Sequence, residues 1–425
     1  MSRVVEVPLW VLIALGIALI VVLVTLWSVK RRQDTHLRVA DPGELRAMIQ
    51  SIVGLSHGSL TKGNEMRVIQ NGAYFDELLA DIAAAKKSVH LETFVWWKGE
   101  ITTRVAQALA AKAKEGVPVR VLLDASGSSR MDDKLLDLMR ASGCKVAKFH
   151  PPRLSNLGRM NNRDHRKILV VDGRLAIVAG HGIAQEWTGN AQDKEHWRDT
   201  ALRIEGPLVN TLQTAFSENW IEETGEVFAG DEYFPVLEPV GDVEAHVAYS
   251  SPAGSVSSVE LLHLVAIASA RKQVLIQNPY FLPDPSDIEV FAAAAKRGVD
   301  IRIMMPSDTA TDSAIVQHAS HHRFGTLLDH GMRIFEFQRT LSHQKVNIVD
   351  GLWASVGSTN FDARSFEVND EISVGVVDER IAAELTRAWN EDMKDAREWK
   401  AETWRQRSLW HRIVDFSAYL LNEQL

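Results

Sequence analysis

The sequence predicts an α/β protein. It reads as two tandem α/β/α sandwich domains related by pseudo-twofold symmetry, preceded by one N-terminal transmembrane helix. Three observations carry that expectation: the chain repeats itself at a nearly constant offset, each copy alternates helix-like and strand-like segments, and an uncharged apolar run stands near the start.

The repeat comes first, because self-similarity governs how the rest of a chain is read. A-K-K-S-V-H-L-E-T-F-V-W (Ala85–Trp96) matches A-R-K-Q-V-L-I-Q-N-P-Y-F (Ala270–Phe281). A-K-E-G-V-P-V-R-V-L-L-D (Ala113–Asp124) matches A-K-R-G-V-D-I-R-I-M-M-P (Ala295–Pro306). H-R-K-I-L-V-V-D (His165–Asp172) matches H-Q-K-V-N-I-V-D (His343–Asp350). Order is kept and the offset drifts only from 185 to 178 residues, so a domain has been duplicated.

Within the first copy, Tyr74–Lys87 has the 3.6-residue apolar period of an amphipathic helix. Ser88–Trp96 is an apolar strand. Ile101–Lys114 is a helix ended by Gly116, and Met131–Ala141 is another. Between them, Val117–Leu123 is the continuously apolar kind of strand that is buried on both faces. Alternation of this kind places helices outside a central sheet.

Val7–Val29 contains no charged residue. At 1.5 Å per residue, a run of this length reaches roughly 34 Å, enough to cross a hydrocarbon core of about 30 Å. A cleaved signal peptide is the alternative, but the run is long and Lys30, Arg31 and Arg32 follow it where a small-residue cleavage site would stand. Arg3 precedes it and Arg38 adds to the later flank, so the positive-inside rule puts the body in the cytoplasm. The expected organisation is an anchor with basic flank (1–32), a linker (33–64), a first domain (65–225), a Gly- and Pro-rich link (225–245), a second domain (245–400) and a C-terminal amphipathic helix (401–425).

A chain of 425 residues that is 46% hydrophobic and 24% charged has a globular composition. The formal net charge of −8 argues against a nucleic-acid partner, whose binding draws on a basic surface. The single cysteine, Cys144, forms no internal disulfide and reads as a small buried hydrophobe.

The chemistry is concentrated in H-x-K-x-x-x-x-D, present at His165, Lys167 and Asp172 and again at His343, Lys345 and Asp350. Roughly 0.04 copies of such a pattern are expected by chance from this composition, so two at matching repeat positions are not accidental. Asp-Gly between apolar runs signals a hairpin, which puts each His and Lys two residues apart on one face of a strand. The turns explain Asp172 and Asp350, for which a structural role is favoured. Beyond the second turn, Ser358 and Asn360 of G-S-T-N share a face. Two such faces meeting across a twofold axis would gather two imidazoles and two ammonium groups. One imidazole can attack phosphorus while the other moves the proton, and lysines with an asparagine amide can stabilise the phosphoryl oxygens. The lysines supply the positive charge, so neither metal nor cofactor is expected. Asp199 and Glu371 each open a strand after the hairpin and could hold an imidazole in one tautomer, or be ordinary strand-capping acids.

The doubled motif with G-S-x-N resembles the phospholipase D superfamily, over about Gly63 to Trp410. Within it the chain is similar to bacterial cardiolipin synthases, on E-T-F-V-W-W (Glu92–Trp97), H-W-R-D-T (His196–Thr200), R-I-E-G-P (Arg203–Pro207), P-Y-F-L-P (Pro279–Pro283) and N-F-D-A-R-S-F-E (Asn360–Glu367). The resemblance implies phospholipase D-like domains, a nucleophilic and an acidic histidine, supporting Lys167, Lys345 and Asn360, and orienting carboxylates at Asp199 and Glu371. It implies phosphatidylglycerol as substrate, with a lipid or alcohol acceptor, in a bacterial cytoplasmic membrane. Hydrolysis of phospholipid, nuclease action and a non-catalytic scaffold are the competing readings. One departure stands out: in A-G-H-G (Ala179–Gly182), Gly182 occupies the position of the first copy's asparagine, so either the first half-site binds phosphate less tightly or His181 or Asn190 compensates. His165 is the favoured nucleophile.

His318 and His322 have zinc-ligand spacing on a helix, but no third ligand accompanies them. Leu409–Leu425 has an apolar helical face suited either to a membrane or to docking on the body.

Overall fold

The two repeats meet in one sheet of fifteen strands. The computed structural model describes residues 8–29, 38–40, 42–152, 159, 161–252 and 256–421, with side chains of the first stretch described over 8–22. The strands are β1 (Thr61–Gln70), β2 (Val89–Thr93), β3 (Val119–Asp124), β4 (Lys145–Phe149), β5 (Ile168–Val171), β6 (Leu175–Ala179), β7 (Thr200–Glu205), β8 (Val243–Ser250), β9 (Gln273–Gln277), β10 (Asp300–Pro306), β11 (Arg333–Phe337), β12 (Val346–Val349), β13 (Trp353–Gly357), β14 (Glu371–Val377) and β15 (Ala396–Trp399). Their spatial order is β15-β11-β10-β9-β12-β13-β14-β8-β1-β7-β6-β5-β2-β3-β4. Apart from the edge strand β15, this order reads the same from both ends, with β2 to β7 standing where β9 to β14 stand. The halves join where β1 pairs antiparallel with β8.

The helices are α1 (Leu9–Val29), α2 (Leu45–Leu55), α3 (Ala73–Ala84), α4 (Glu100–Lys114), α5 (Asp133–Ala141), α6 (Val209–Thr224), α7 (Ser258–Ser269), α8 (Pro285–Lys296), α9 (Ala314–Asp329), α10 (Ala363–Glu367), α11 (Glu379–Asp392), α12 (Ala401–Arg405) and α13 (Leu409–Tyr419). In α3, Tyr74, Phe75, Leu78 and Ile82 form the buried stripe that the apolar period requires. Every residue of β3 is buried, as its unbroken apolar run demands of a parallel strand covered on both faces.

Three expectations change. Residues 33–64 are not simply a linker: Leu45, Ile49, Ile52 and Val53 of α2 are buried in the core with Val259, Leu262 and Val265 of α7. From Thr61 onward the chain is already β1, a strand in the middle of the sheet. Their 3.6-residue apolar spacing carried that signal. The C-terminal segment is two short helices, not one. The strand ladders of β5 and β12 begin after Lys167 and Lys345, so the motif residues lie on extended entries where the chain leaves one half to bridge the other.

α1 belongs to a separate unit (Met1–His36), and Leu37–Leu425 is the other. Among the described residues no helix is long and apolar enough to cross a membrane. The transmembrane span expected over Val7–Val29 is therefore not established here, and its flanking Arg3, Lys30, Arg31 and Arg32 lie outside the described residues.

Candidate active site

Both hairpins form as the Asp-Gly signal requires: Asp172 and Gly173 have φ of 55° and 63°, and Asp350 and Gly351 have 54° and 67°. The aspartates do not enter the reactive cluster. Asp172 accepts from the backbone N–H groups of Lys86, Lys87 and Ser88 at 3.0, 2.6 and 3.0 Å. Asp350 does the same for Arg271, Lys272 and Gln273 at 2.8, 2.8 and 2.9 Å. Each clamps the entry to β2 or β9, seven residues along an extended chain from its histidine, a separation of roughly 23 Å. Their contacts are to the backbone at the strand entries, in line with the structural role favoured from the turns.

At the other end of these strands the halves cross. The backbone of His165 donates to Asp370 at 2.9 Å, and Asp370 donates to Arg163 at 2.8 Å. The backbone of His343 donates to Arg198 at 2.8 Å, and Arg198 donates to Leu341 at 2.9 Å. Each histidine is thereby set beside the carboxylate of the opposite repeat. His165 Nδ1 lies 2.9 Å from Glu371 Oε1, and His343 Nδ1 lies 2.8 Å from Asp199 Oδ2. Both imidazoles and both carboxylates are buried. A carboxylate on Nδ1 fixes the tautomer that leaves the Nε2 lone pair available.

Burial dominates the electrostatics. It pushes the imidazole of His165 well below its ordinary value, and the Lys167 and Lys345 charges push the same way. It takes His343 down to about 4, aided by Lys345, with Asp199 opposing but not prevailing. Lys167 falls to about 7 and Lys345 to about 8, again mainly from burial. The carboxylates differ. Burial raises Glu371 to about 7 against Lys167 and Ser358. Burial also pushes Asp199 up, but the charges of His181, His343 and Lys345 and the bond to His343 hold it below the usual carboxylate range. Two imidazoles that burial disfavours as cations and two weakly held ammonium protons share one buried cluster, which an anionic phosphodiester would complete.

The remaining residues have distinct places. Lys167 Nζ donates to the His165 carbonyl at 2.6 Å, and Lys345 Nζ to the His343 carbonyl at 2.7 Å. Asn360 is buried, and among the described residues its Oδ1 has no hydrogen-bond partner. Ser358 Oγ donates to Glu371 Oε2, so it orients the carboxylate instead of sharing a phosphate with Asn360.

Sequence reasoning missed Trp187. Its indole Nε1 donates to Asp199 Oδ2 at 2.8 Å, so it orients Asp199 as Ser358 orients Glu371. It sits against Gly182, where an added Cβ would come within 2.8 Å of Val95 and 3.0 Å of the indole ring. The asparagine-to-glycine departure was the available signal: the ring takes the space of the absent side chain. His181 and Asn190 do not fill it, because both turn to Asn71, His181 Nε2 onto its carbonyl and Asn190 Oδ1 onto its amide. Arg364 was also missed. It bonds Asn161 at 3.1 Å, and its charge helps depress His165.

The expected histidine pair is split. His318 bonds Asp415 at 2.8 Å, while His322 stacks on Tyr419. His318, His321 and Asp415 do cluster, with Arg407 2.6 Å from Asp415 and His321 bonded to Glu336, so each of the three already has a protein partner.

A duplicated α/β sheet whose halves exchange carboxylates across paired H-x-K motifs defines a phospholipase D-type phosphoryl-transfer protein. The cardiolipin synthase, PLD-like domain family matches residues 78–220 and 264–393, and this chain belongs to that family. It is 33% identical over 383 residues to a cardiolipin synthase of Staphylococcus aureus (strain N315), covering 89% of this chain and 77% of that one. It is likewise 33% identical over 379 residues to the major cardiolipin synthase of Bacillus subtilis (strain 168), covering 88% and 78%. The crystal structure of phosphatidylserine synthase from Haemophilus influenzae Rd KW20 shares the fold, with a TM-score of 0.66, 13% identity, and coverage of 90% of this chain and 100% of that one.

Proposed function

We propose that the protein is a phosphatidyltransferase that makes cardiolipin from phosphatidylglycerol through a phosphohistidine. The observation that carries the reading is the pair of buried histidines, each held at Nδ1 by the opposite repeat's carboxylate, beside two lysines. His165 is assigned as nucleophile. No side chain among the described residues hydrogen-bonds its Nε2, whereas Nε2 of His343 lies 2.9 Å from Lys345 Nζ.

In the first step His165 Nε2 attacks phosphorus and the bond to the glycerol headgroup breaks. His343, which takes up a proton at Nε2 when the phosphodiester's negative charge enters the site and is steadied by Asp199, gives that proton to the departing glycerol oxygen. A hydroxyl of a second phosphatidylglycerol then loses its proton to His343 and attacks phosphorus, breaking the phosphorus–nitrogen bond. Cardiolipin and glycerol leave, and both histidines are restored. Lys167, Lys345 and Asn360 stabilise charge on the phosphoryl oxygens. The two repeats, over about 61–225 and 243–400 within one sheet, supply these groups.

The apolar helix Leu9–Val29 is assigned as a single-pass anchor in the bacterial cytoplasmic membrane, with the body on the cytoplasmic side. It would hold the site near its lipid substrate.

The test is to incubate purified protein with labelled phosphatidylglycerol vesicles and separate the products, with His343→Ala as control. Cardiolipin plus glycerol from the wild type alone supports the reading. Phosphatidic acid without cardiolipin would make it a hydrolase.

A further inference from the structure

An amphipathic helix normally turns its apolar face to the core. α13 does the reverse. The side that packs on α9 is formed by Asp415, Ala418 and Tyr419: Asp415 bonds His318 at 2.8 Å, Tyr419 stacks on His322 at 4.5 Å, and Ala418 joins Val316 and Ala319. The opposite side carries Leu409, Trp410, Ile413 and Leu420, with Leu409 and Trp410 exposed to 70% and 69%, and Phe416 stands at its edge, half exposed with its ring also against His322 of α9. A contiguous exposed apolar face of this size marks a contact surface.

Its neighbourhood selects the partner. Between α9, α12 and α13 lies a cavity of about 540 Å³ whose lining combines Arg405, Arg407, Arg412 and the Asp415 carboxylate with Trp404, Ile413 and Phe416. Arg407 is committed to Asp415 at 2.6 Å and Arg405 pairs at the surface with Asp329, but Arg405 and Arg412 both stand exposed beside the apolar ridge, an arrangement complementary to phosphate headgroups above acyl chains. The contrast with a chain of net charge −8 matters, because the bulk of the protein would be repelled by an anionic bilayer. The ridge is also tied to the active site. Ala418 shares an apolar cluster with Tyr280, whose hydroxyl bonds Asp312 at 2.7 Å, and the charge of Asp312 is felt by both His343 and Lys345.

We propose that α13 is an interfacial helix that docks the body on an anionic phospholipid bilayer, with Leu409, Trp410, Ile413, Phe416 and Leu420 entering the headgroup–acyl boundary and the arginine-lined groove receiving lipid phosphates. This rests on the phosphatidyltransferase reading and adds to it a second contact, which orients the catalytic body on the membrane independently of α1.

The full chain, reconstituted in phosphatidylglycerol-containing vesicles, carries a nitroxide on Ile413→Cys, and on Lys194→Cys as a reference in the exposed stretch before His196. Collision with oxygen and with a water-soluble nickel chelate reports depth. The expected result is oxygen access with chelate exclusion at 413, the reverse at 194, and loss of that pattern in phosphatidylcholine vesicles. Chelate access at 413 overturns the proposal, as does exclusion of both reagents, which would mean a second copy of the chain covers the face. An Ile413→Asp, Phe416→Asp variant should lose tenfold or more of its rate on vesicles while keeping its rate on short-chain lipid dispersed in detergent. Equal loss on both would also overturn it. Product formation with an aqueous probe would sink docking alone, and a buried probe without product would sink the transferase reading alone.

Discussion

Glu371 Oε1 stands 2.9 Å from His165 Nδ1, although the two residues are 206 positions apart and belong to opposite repeats. The reciprocal pair, His343 with Asp199, is made the same way at 2.8 Å. Neither half can therefore orient its own histidine. Glu371→Gln and Asp199→Asn should each lower kcat by roughly 10²–10⁴-fold, since an amide no longer fixes the tautomer. Steady-state kinetics with unchanged circular dichroism checks this, and wild-type rates in both variants would remove the carboxylates from the mechanism.

The nucleophile is open to direct chemical reading. Rapid quench with labelled phosphatidylglycerol should leave an acid-labile, base-stable adduct on the peptide containing His165. Mass spectrometry that finds it on the His343 peptide would exchange the two roles. Alanine at either histidine should cost about 10³-fold or more in rate.

The depressed lysines give the pH dependence its sign. In the free site Lys167 and Lys345 lose protons near pH 7 and 8, and a bound phosphodiester favours the protonated forms. KM should rise above about pH 8, with uptake of protons on substrate binding, measurable by calorimetry in buffers of different ionisation enthalpy.

The same shifts act on stability. Unfolded lysines titrate near 10.5, so between about pH 7 and 10 the unfolded chain binds more protons and stability rises with pH. Below that window the buried charge is a cost. Lys167→Met should accordingly abolish activity while raising stability at pH 7 by roughly 1–3 kcal/mol. Thermal melts at pH 7 and 9 would show the gain shrinking at the higher pH.

Asp172→Asn tests the turn aspartates. Asparagine tolerates positive φ, so the change isolates the loss of a carboxylate that accepts from Lys86, Lys87 and Ser88. Stability should fall by about 1–2 kcal/mol while the rate per folded molecule stays near wild type. A selective loss of rate would place Asp172 in the catalytic machinery instead.

Trp187→Phe keeps the ring against Gly182 but removes the donor to Asp199. The rate should drop about tenfold or more, as for other groups that orient a catalytic carboxylate. Gly182→Asn should displace the indole, because its Cβ would already stand 3.0 Å from the ring.

The sequence by itself determined the duplication, the alternating elements, the Asp-Gly hairpins and the identity of both H-x-K pairs. These are local signals: periodicity, turn chemistry and a repeated spacing act within a few residues or compare like with like. It also held the apolar stripe of Leu45, Ile49, Ile52 and Val53, which an overly broad linker concealed. Tertiary structure alone decided which carboxylate serves which histidine. That depends on β1 and β8 joining the sheets edge to edge and on the strand entries crossing between halves, and no spacing along a chain encodes such a contact. It decided equally that Trp187 fills the space left by Gly182. A side chain takes up an absent neighbour's volume only when packing brings the two together, and close packing leaves no reason for that space to stay empty.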